Sequence, residues 1–486
     1  MVYASGSGRL LLTYNDQSGV AYVDKNDPTL LHRVPSGYIK GVWGAPSFAG
    51  LSYSDDLGYT WHKRVPFTPA EPTCLQSYCP TALWGDPWIA TNGNDVLYVN
   101  LAGVAQVHGD IAYNAINSIA YIWSHDGGLS WAKPKVAHVE TDAVAFDVRT
   151  AFVDKPSVSI ANGTAMIAYW DVPPIQNGVG DGNIHVVTAF GGLFDVWTPD
   201  DSIAGTAVSM ANPSPIIKVV DEDHAYLGFQ SGNRTATGSA LTYHVFRLVR
   251  STVGGHTWAL GSSALDLPGI VLEPSIPGGP NGNDRPIADT VPESFTVGGP
   301  LNNHLFVAYR TRTSGPNAPA QSQVFVIECY DVNFASCTSA TWHVHTFKSF
   351  STNPNDPVPG GQFQPSVSVD VNDVVAVNWY DTVSATDERF SAAGVFSLQG
   401  GKSGTWSDPV AFPAPAPQTP CANKQSTDSV GTHSIGEYTA TVVIPGQAFQ
   451  LFPYRPWVVS ARADWRGGCQ DLGQVTFDEH VQSVVW

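Results

Sequence analysis

The chain has 486 residues, with 42 acidic against 24 basic side chains and a formal net charge of −18 at pH 7. Only 14% of residues are charged while 43% are hydrophobic and 11% aromatic, a balance that excludes a disordered chain. The acidic excess argues against nucleic acid or an anionic membrane surface as partner, because phosphate binding needs clustered Lys and Arg. No run of about 18 apolar residues is present, so no spanning helix is expected. Gly and Pro are abundant, at 46 and 36, and Met is scarce at 3, a composition that favours strands and turns over helices.

In chain order, the first segments that read as strands are 9–14, 48–53 and the stretch from Trp61 onward. A two-strand unit then recurs. A first strand begins with an acidic or amide residue, often before a proline, and a second, apolar strand ends in aromatic and polar residues. The pairs are 86–90 with 96–100, 154–158 with 166–171, 212–216 with 225–230, 292–295 with 305–310, 364–367 with 374–381, and 436–439 with 449–452. Their spacing of about 70 residues divides the chain into seven units. Seven second strands and six first strands are counted. The missing first strand must come from a terminus, either 1–4 or 481–486, and such a strand would close a ring and remove its sheet edges.

A hairpin signature follows these pairs. Ser54, Asp56, Gly58, Thr60 and Trp61 read S-x-D-x-G-x-T-W, and Ser124, Asp126, Gly128, Ser130 and Trp131 repeat it. Ser251, Gly255, Thr257 and Trp258 keep the spacing with Val253 in place of Asp, and looser copies end at Trp406 and Trp342. The chemistry is that of a tight turn. Asp accepts hydrogen bonds from the turn's own N–H groups, Gly supplies the positive φ, and Trp opens the next strand as a wedge between sheets.

This signature resembles the Asp-box of the sialidase-like (BNR-repeat) β-propeller superfamily. The resemblance implies an all-β fold, a single β-propeller domain over 1–486. The repeat count points to seven four-stranded blades, with six, the sialidase number, as the alternative. The boxes are then structural turns on one face. The long loops, roughly 17–47, 68–85, 263–291, 349–363 and 413–435, lie on the other, where function concentrates.

The residues at that rim are Asp16, Asp86, Asp154, Lys155, Tyr169, Asp171, Gln230, Glu293, Arg310, Arg312, Tyr380, Asp381, Glu437, Tyr438, Tyr454 and Arg455. Paired carboxyl groups and a Tyr are what glycosidic-bond chemistry needs. What the resemblance implies is an arginine cluster that grips a substrate carboxylate, a Tyr nucleophile assisted by Glu, and an Asp acid/base. Arg310, Arg312 and Arg455 match the first, Tyr380 with Glu293 or Glu437 the second, and Asp16 or Asp171 the third. Asp381 joins the catalytic candidates, and Asp86, Asp154 and Tyr169 the binding ones. Arg33-Val34-Pro35 is similar to the family's Arg-Ile-Pro but stands in a loop, and the arginine role is not carried onto it.

The expected function is a secreted or periplasmic enzyme that cleaves a glycosidic bond in an acidic glycan, as hydrolase or as lyase. A non-catalytic lectin or a scaffold remains the alternative. The partner is a glycan or another polar small ligand. No cofactor motif occurs, the metal expectation is none at the site, and a structural calcium stays open. Gly401-Lys402-Ser403 lacks the rest of a phosphate loop. His343 and His345 alternate on one strand without a third ligand, and core or solvent contact is the expectation for them. Trp84 and Trp170 lie near the rim and are weighed between packing and stacking on a sugar. Six cysteines, Cys74, Cys79, Cys329, Cys337, Cys421 and Cys469, are either free thiols or three disulfides of an oxidising compartment. The close pairs are Cys74–Cys79 and Cys329–Cys337, and Cys421–Cys469 follows by elimination.

Overall fold

The computed structural model describes residues 1–15, 21–24, 27–33, 49–64, 78–106, 118–139, 152–172, 183–192, 194–198, 201–202, 215–221, 223–234, 241–251, 258–259, 265–266, 293–298, 304–312, 322–329, 343–347, 362–382, 390–411, 440–444, 457–464 and 478–485. All regular structure in them is β. Seven antiparallel sheets succeed one another along the chain, each built from strands consecutive in sequence apart from one inserted hairpin. Their first strands are Val2–Ala4, Tyr78–Asn92, Phe152–Ala161, Ile216–Val219, Glu293–Gly298, Gln362–Val369 and Ala440–Ile444. Their second strands are Arg9–Asn15, Asp95–Gln106, Thr164–Val172, Ala225–Arg234, His304–Arg312, Val375–Thr382 and Trp457–Asp464. Two compact units contain them. Met1–Thr242 with Arg247–Ala264 holds sheets one to four, and Tyr243–Phe246 with Leu265–Trp486 holds sheets five to seven and a short piece of sheet four.

The missing first strand of sheet one is Val2–Ala4, paired with Arg9–Leu11. The other terminal candidate, Asp478–Val485, is the third strand of sheet seven. Two expectations are corrected. The strand that pairs with Ala440–Ile444 is Trp457–Asp464, not 449–452, a segment outside the described residues. The long loop 17–47 carries a hairpin of its own, Ala21–Asp24 with Asp27–Arg33.

The box hairpins form as their turn chemistry requires. In the first, Ser54 Oγ donates to Asp56 Oδ1 at 2.7 Å and accepts from Gly58 N at 2.8 Å. Asp56 accepts from Thr60 N at 2.8 Å and Thr60 Oγ1 at 2.6 Å. Gly58 has φ 96° and its carbonyl accepts from Trp61 Nε1 at 3.0 Å. The second repeats this with Ser124, Asp126, Gly128, Ser130 and Trp131. The copy at 397–406 has lost its Asp and keeps the turn. Ser397 and Thr405 hydroxyls meet at 2.7 Å, Gly401 N donates to Ser397 Oγ at 3.0 Å, and Trp406 Nε1 donates to Gly401 O at 2.8 Å.

Two of these tryptophans pack on the sheet before their own. Trp131 of sheet two lies with Ala4, Leu11 and Leu51 of sheet one. Trp406 of sheet six meets Phe347 of sheet five edge-on at 5.2 Å. Sheet three has a hairpin that the sequence pattern missed. Trp197, reached through Gly191 and Gly192, meets Tyr121 of sheet two edge-on at 5.3 Å, though the turn lacks both Ser and Asp.

The first strands are joined by hydroxyls. Ser157 and Ser159 of sheet three accept from Ile217 N and Val219 N of sheet four at 3.1 and 2.9 Å. In the second unit Ser294 accepts from Val367 N, and Ser368 from Val443 N, both at 3.4 Å.

A chain of buried polar groups also links sheets five and six. His345 Nε2 lies 2.7 Å from Glu328 Oε2, and His304 stands between Glu328 at 3.3 Å and Asp373 at 3.0 Å. His345 is thus a core residue, as one expectation had it, while His343 is exposed. Burial raises the Glu328 carboxyl, but hydrogen bonds and charge from His304 and His345 outweigh it and hold the group at about 2. A depressed carboxyl contributes stability above its unfolded value near 4.5 and loses it as pH falls towards 2. Thermal unfolding of wild type and Glu328→Gln from pH 7 down to 2 is expected to show a stability gap of about 2–4 kcal/mol at pH 7 that narrows below pH 4.5.

Candidate functional site

The polar residues that can do chemistry in the first unit gather where sheets two and three begin their first strands and end their second. Both first strands bulge there at a residue followed by proline. The register of Tyr78–Asn92 breaks between Gly85 and Trp88, around Asp86-Pro87, and that of Phe152–Ala161 between Asp154 and Ser157, around Lys155-Pro156. Asp86 has φ 49° and Lys155 φ 50°, the sparsely populated left-handed region for residues with a side chain. Such strain costs about 1–3 kcal/mol at each residue and persists where surrounding contacts impose it. One such contact is Asn100, fully buried, whose Nδ2 donates to Gly85 O at 2.9 Å.

The bulges bring the two residues together across the sheet boundary. Lys155 Nζ lies 3.2 Å from Asp86 Oδ2, with the lysine almost wholly buried. Asp154 accepts from Lys155 N at 2.8 Å. Its carboxyl is pushed up to about 6, chiefly by burial and further by the Asp86 charge, against the pull of Lys155. It therefore carries its proton over a range in which an ordinary aspartate has lost it. Directly opposite Asp154 on the second strand stands Trp170, and opposite residues of an antiparallel pair share a face.

Asp171 is the next-to-last residue of the same second strand. His185 Nε2 lies 3.6 Å from its Oδ2. Tyr169 is wholly buried between His138 and His185, with ring centroids at 4.8 and 5.5 Å. Of the expected residues, Asp86, Asp154 and Lys155 are brought together at the bulges, while Tyr169 and Asp171 alternate with Trp170 onto the other face of the same strand, beside His138 and His185. The two histidines were missed, because each lies on a different strand from the tyrosine it flanks and alternation along one strand does not reveal that.

In the second unit Glu293 stands opposite Tyr309, with Arg310 and Arg312 next along that strand, and Asp381 opposite Gln362. These four, and Gln230 of the first unit, are placed by their backbone, and their side chains lie outside the described residues. Tyr380 is buried opposite Phe363. Asp16, Glu437, Tyr438, Tyr454 and Arg455 lie outside the described residues, as do Cys74, Cys337, Cys421 and Cys469. Cys79 is placed by backbone alone, opposite Ala105. Cys329 is buried and disulfide-bonded, and no described cysteine is free. Among the described residues no group of three or more His, Cys, Asp or Glu is arranged to hold a metal ion, and no helix is long and apolar enough to cross a membrane.

The electrostatics can be read by titration. In Asp86→Asn the Asp154 carboxyl is expected to titrate lower, having lost a like charge, and in Lys155→Met higher, having lost its cation. Carboxyl ¹³C spectra of aspartate-labelled protein across pH 3–8 check both directions.

No protein-family model and no curated protein matches the sequence. Among solved structures, the α-L-arabinanase of Penicillium chrysogenum complexed with arabinobiose is similar over 86% of this chain and 96% of its own, at 11% identity and a TM-score of 0.43. A Hadza microbial sialidase is similar over 80% of this chain and 64% of its own, at 13% identity and a TM-score of 0.42. Trypanosoma rangeli sialidase in complex with sialic acid is similar over 81% and 59%, at 10% identity and a TM-score of 0.38. Sialidases, the proteins whose box motif this sequence resembles, are therefore among its structural likenesses, and the functional reading rests on the site's own chemistry.

Proposed function

We propose that the chain is a glycan-cleaving enzyme whose proton donor is Asp154. The observation that carries this is a carboxyl held up to about 6 beside a second carboxyl and a buried lysine, at strained bulges of two adjacent strands. Glycosidic-bond cleavage needs one carboxylic acid that protonates the leaving oxygen and a second group that acts as base or nucleophile. Asp154 supplies the first. Asp86 or Asp171, both at the same end of sheets two and three, supplies the second, and Lys155 limits the rise of the Asp154 pKa so that the proton can leave.

The succession of seven sheets supports a single seven-bladed β-propeller over 1–486, with the site on the long-loop face. Tyr380, Glu293, Glu437, Asp16 and Asp381 stay as catalytic candidates, and Arg310, Arg312 and Arg455 as binding candidates contributed by the other blades. The chain is read as secreted or periplasmic. The bonded Cys329 supports that reading, with Cys74–Cys79, Cys329–Cys337 and Cys421–Cys469 as the proposed pairs. Titration of the denatured, unreduced protein is expected to find almost no reactive thiol, and two or more would overturn the pairing.

The test of function is hydrolysis of a broad glycan panel followed by reducing-sugar release and by absorbance of unsaturated products. Asp154→Asn is expected to lower turnover by about 10²–10⁴ with little change in Tm. Wild-type kcat is expected to fall as pH rises past about 6, because the acid form of Asp154 is the active one. Reducing ends without ultraviolet absorbance mark a hydrolase, and absorbance marks a lyase. Tight binding with no turnover would leave the lectin reading in place instead.

A further inference from the structure

We propose that Thr13 and Asn100 are positioning residues: they hold the backbone on the two sides of Asp86 and so aim its carboxylate at Lys155, beside the Asp154 carboxyl. The inference deepens the glycan-cleaving reading and rests on it for the use made of the Asp154 proton.

The need for a clamp follows from the bulge. Gly85 pairs with Leu101 and Trp88 with Val99, so Asp86 and Pro87 have no opposite residue of their own, and Asn100 stands across from the break. Pro87 brings no N–H, and a residue before proline is ordinarily extended, yet Asp86 stands at φ 49° after Gly85 at φ 110°. A side-chain-bearing residue in that region persists only where contacts from outside impose it. Carbonyls at a break in the ladder also need donors from elsewhere.

Two side chains supply them. Asn100 Nδ2 donates to Gly85 O at 2.9 Å, and Thr13 Oγ1, from the second strand of sheet one, donates to Pro87 O at 3.3 Å. One bond lies before Asp86 in the chain and the other after it. Both come from the same side: Asn100 alternates with Tyr98 and Ala102, and Thr13 with Leu11, in the core between sheets one and two. Lys155 approaches from sheet three, with Nζ 3.2 Å from Asp86 Oδ2. Asp86 is set between a clamp on the side of sheet one and a cation from sheet three.

The Asp154 proton reports how Asp86 is aimed. Burial raises that carboxyl most, Lys155 lowers it and Asp86 raises it. Other charged or titratable groups on the surrounding strands are engaged elsewhere. Arg9 pairs with Asp55, Asp95 with His125 and Lys135 with Asp195, while His138 and His185 flank Tyr169 and Asp171 lies beside His185. Lys218 of sheet four alternates with Ile217 and Val219, which pack on sheet three, and so points away from it. If the bulge relaxes, Asp86 withdraws its like charge and Lys155 is left to act on Asp154 alone. Both changes lower the Asp154 titration.

The test follows the carboxyl ¹³C signal of Asp154 in the intact, aspartate-labelled protein across pH 3–8. Thr13→Val keeps the side-chain shape and removes only the hydroxyl, and it is expected to move the Asp154 titration down by about half a pH unit. Thr13→Ser, which retains the hydroxyl, should titrate as wild type. Thr13→Val combined with Asp86→Asn should titrate as Asp86→Asn alone, because the hydroxyl acts through Asp86. Asn100→Leu is expected to shift Asp154 in the same direction, and if that buried change prevents folding the Thr13 variants still decide. An unchanged titration in Thr13→Val, with or without a fall in Tm, makes the bond merely structural and overturns the inference. So does a shift that persists in full in the Asp86→Asn background. The measurement needs no substrate, so its failure is distinct from that of the glycan-cleaving reading, which falls if no glycan is turned over.

Discussion

The first strand of each sheet leaves one row of backbone N–H groups without a partner in its own sheet, and the arrangement of neighbouring sheets depends on how those donors are met. Ser157, Ser159, Ser294 and Ser368 meet them with hydroxyls reaching forward from the preceding sheet. The solution is local, cheap in volume, and tolerant of sheet twist, because a seryl hydroxyl rotates to suit the donor. It also fixes spacing. Only a short side chain can reach from one backbone to the next, so neighbouring first strands are held close, and the wider gap further out is filled by Trp131, Trp197 and Trp406.

The bulges of sheets two and three meet directly, with Lys155 reaching Asp86 across the sheet boundary. Were the first strands further apart, Lys155 could not reach Asp86 from its bulge, and the Asp154 carboxyl would lack its moderating cation. The energetic outlay is visible in two left-handed residues and a buried lysine, offset by the ion pair and by the Asn100 amide that braces Gly85. Strain of this kind concentrates where a fold has been bent to serve a site, and here it coincides with the carboxyl whose proton affinity is raised.

How far the sequence could reveal this depends on the range of each interaction. The box hairpins were legible because Ser54, Asp56, Gly58 and Thr60 bond within seven residues of one another. The recurring first strands were legible from the acidic or amide residue, often before a proline, that opens them, as at Asp86-Pro87 and Gln364-Pro365. The hairpin ending at Trp197 was not, because Gly191 and Gly192 make its turn without Ser or Asp. The partner of Ala440–Ile444 was placed too early because 449–452 is as apolar as the true strand. The residue before a proline normally reads as extended, so nothing in the letters told that Asp86 and Lys155 turn left-handed and meet. Their contact joins residues of different repeats, and single-chain patterns carry no information about such pairs.

The copy at 397–406 shows what the hairpin can do without. Gln399 stands where the pattern has Asp, yet the bond between the Ser397 and Thr405 hydroxyls closes the same turn, and the Gly401 carbonyl still anchors Trp406. The acidic letter by which the repeat is recognised is therefore its most replaceable part, while glycine and tryptophan are constrained from outside, by the sheet they lean on. A Cβ at Gly401 would come within 2.8 Å of the Phe306 ring and 3.3 Å of Glu328. As copies of such a unit diverge, the signature fades before the architecture does: Trp197 and Trp406 hold their wedge positions without the acidic letter.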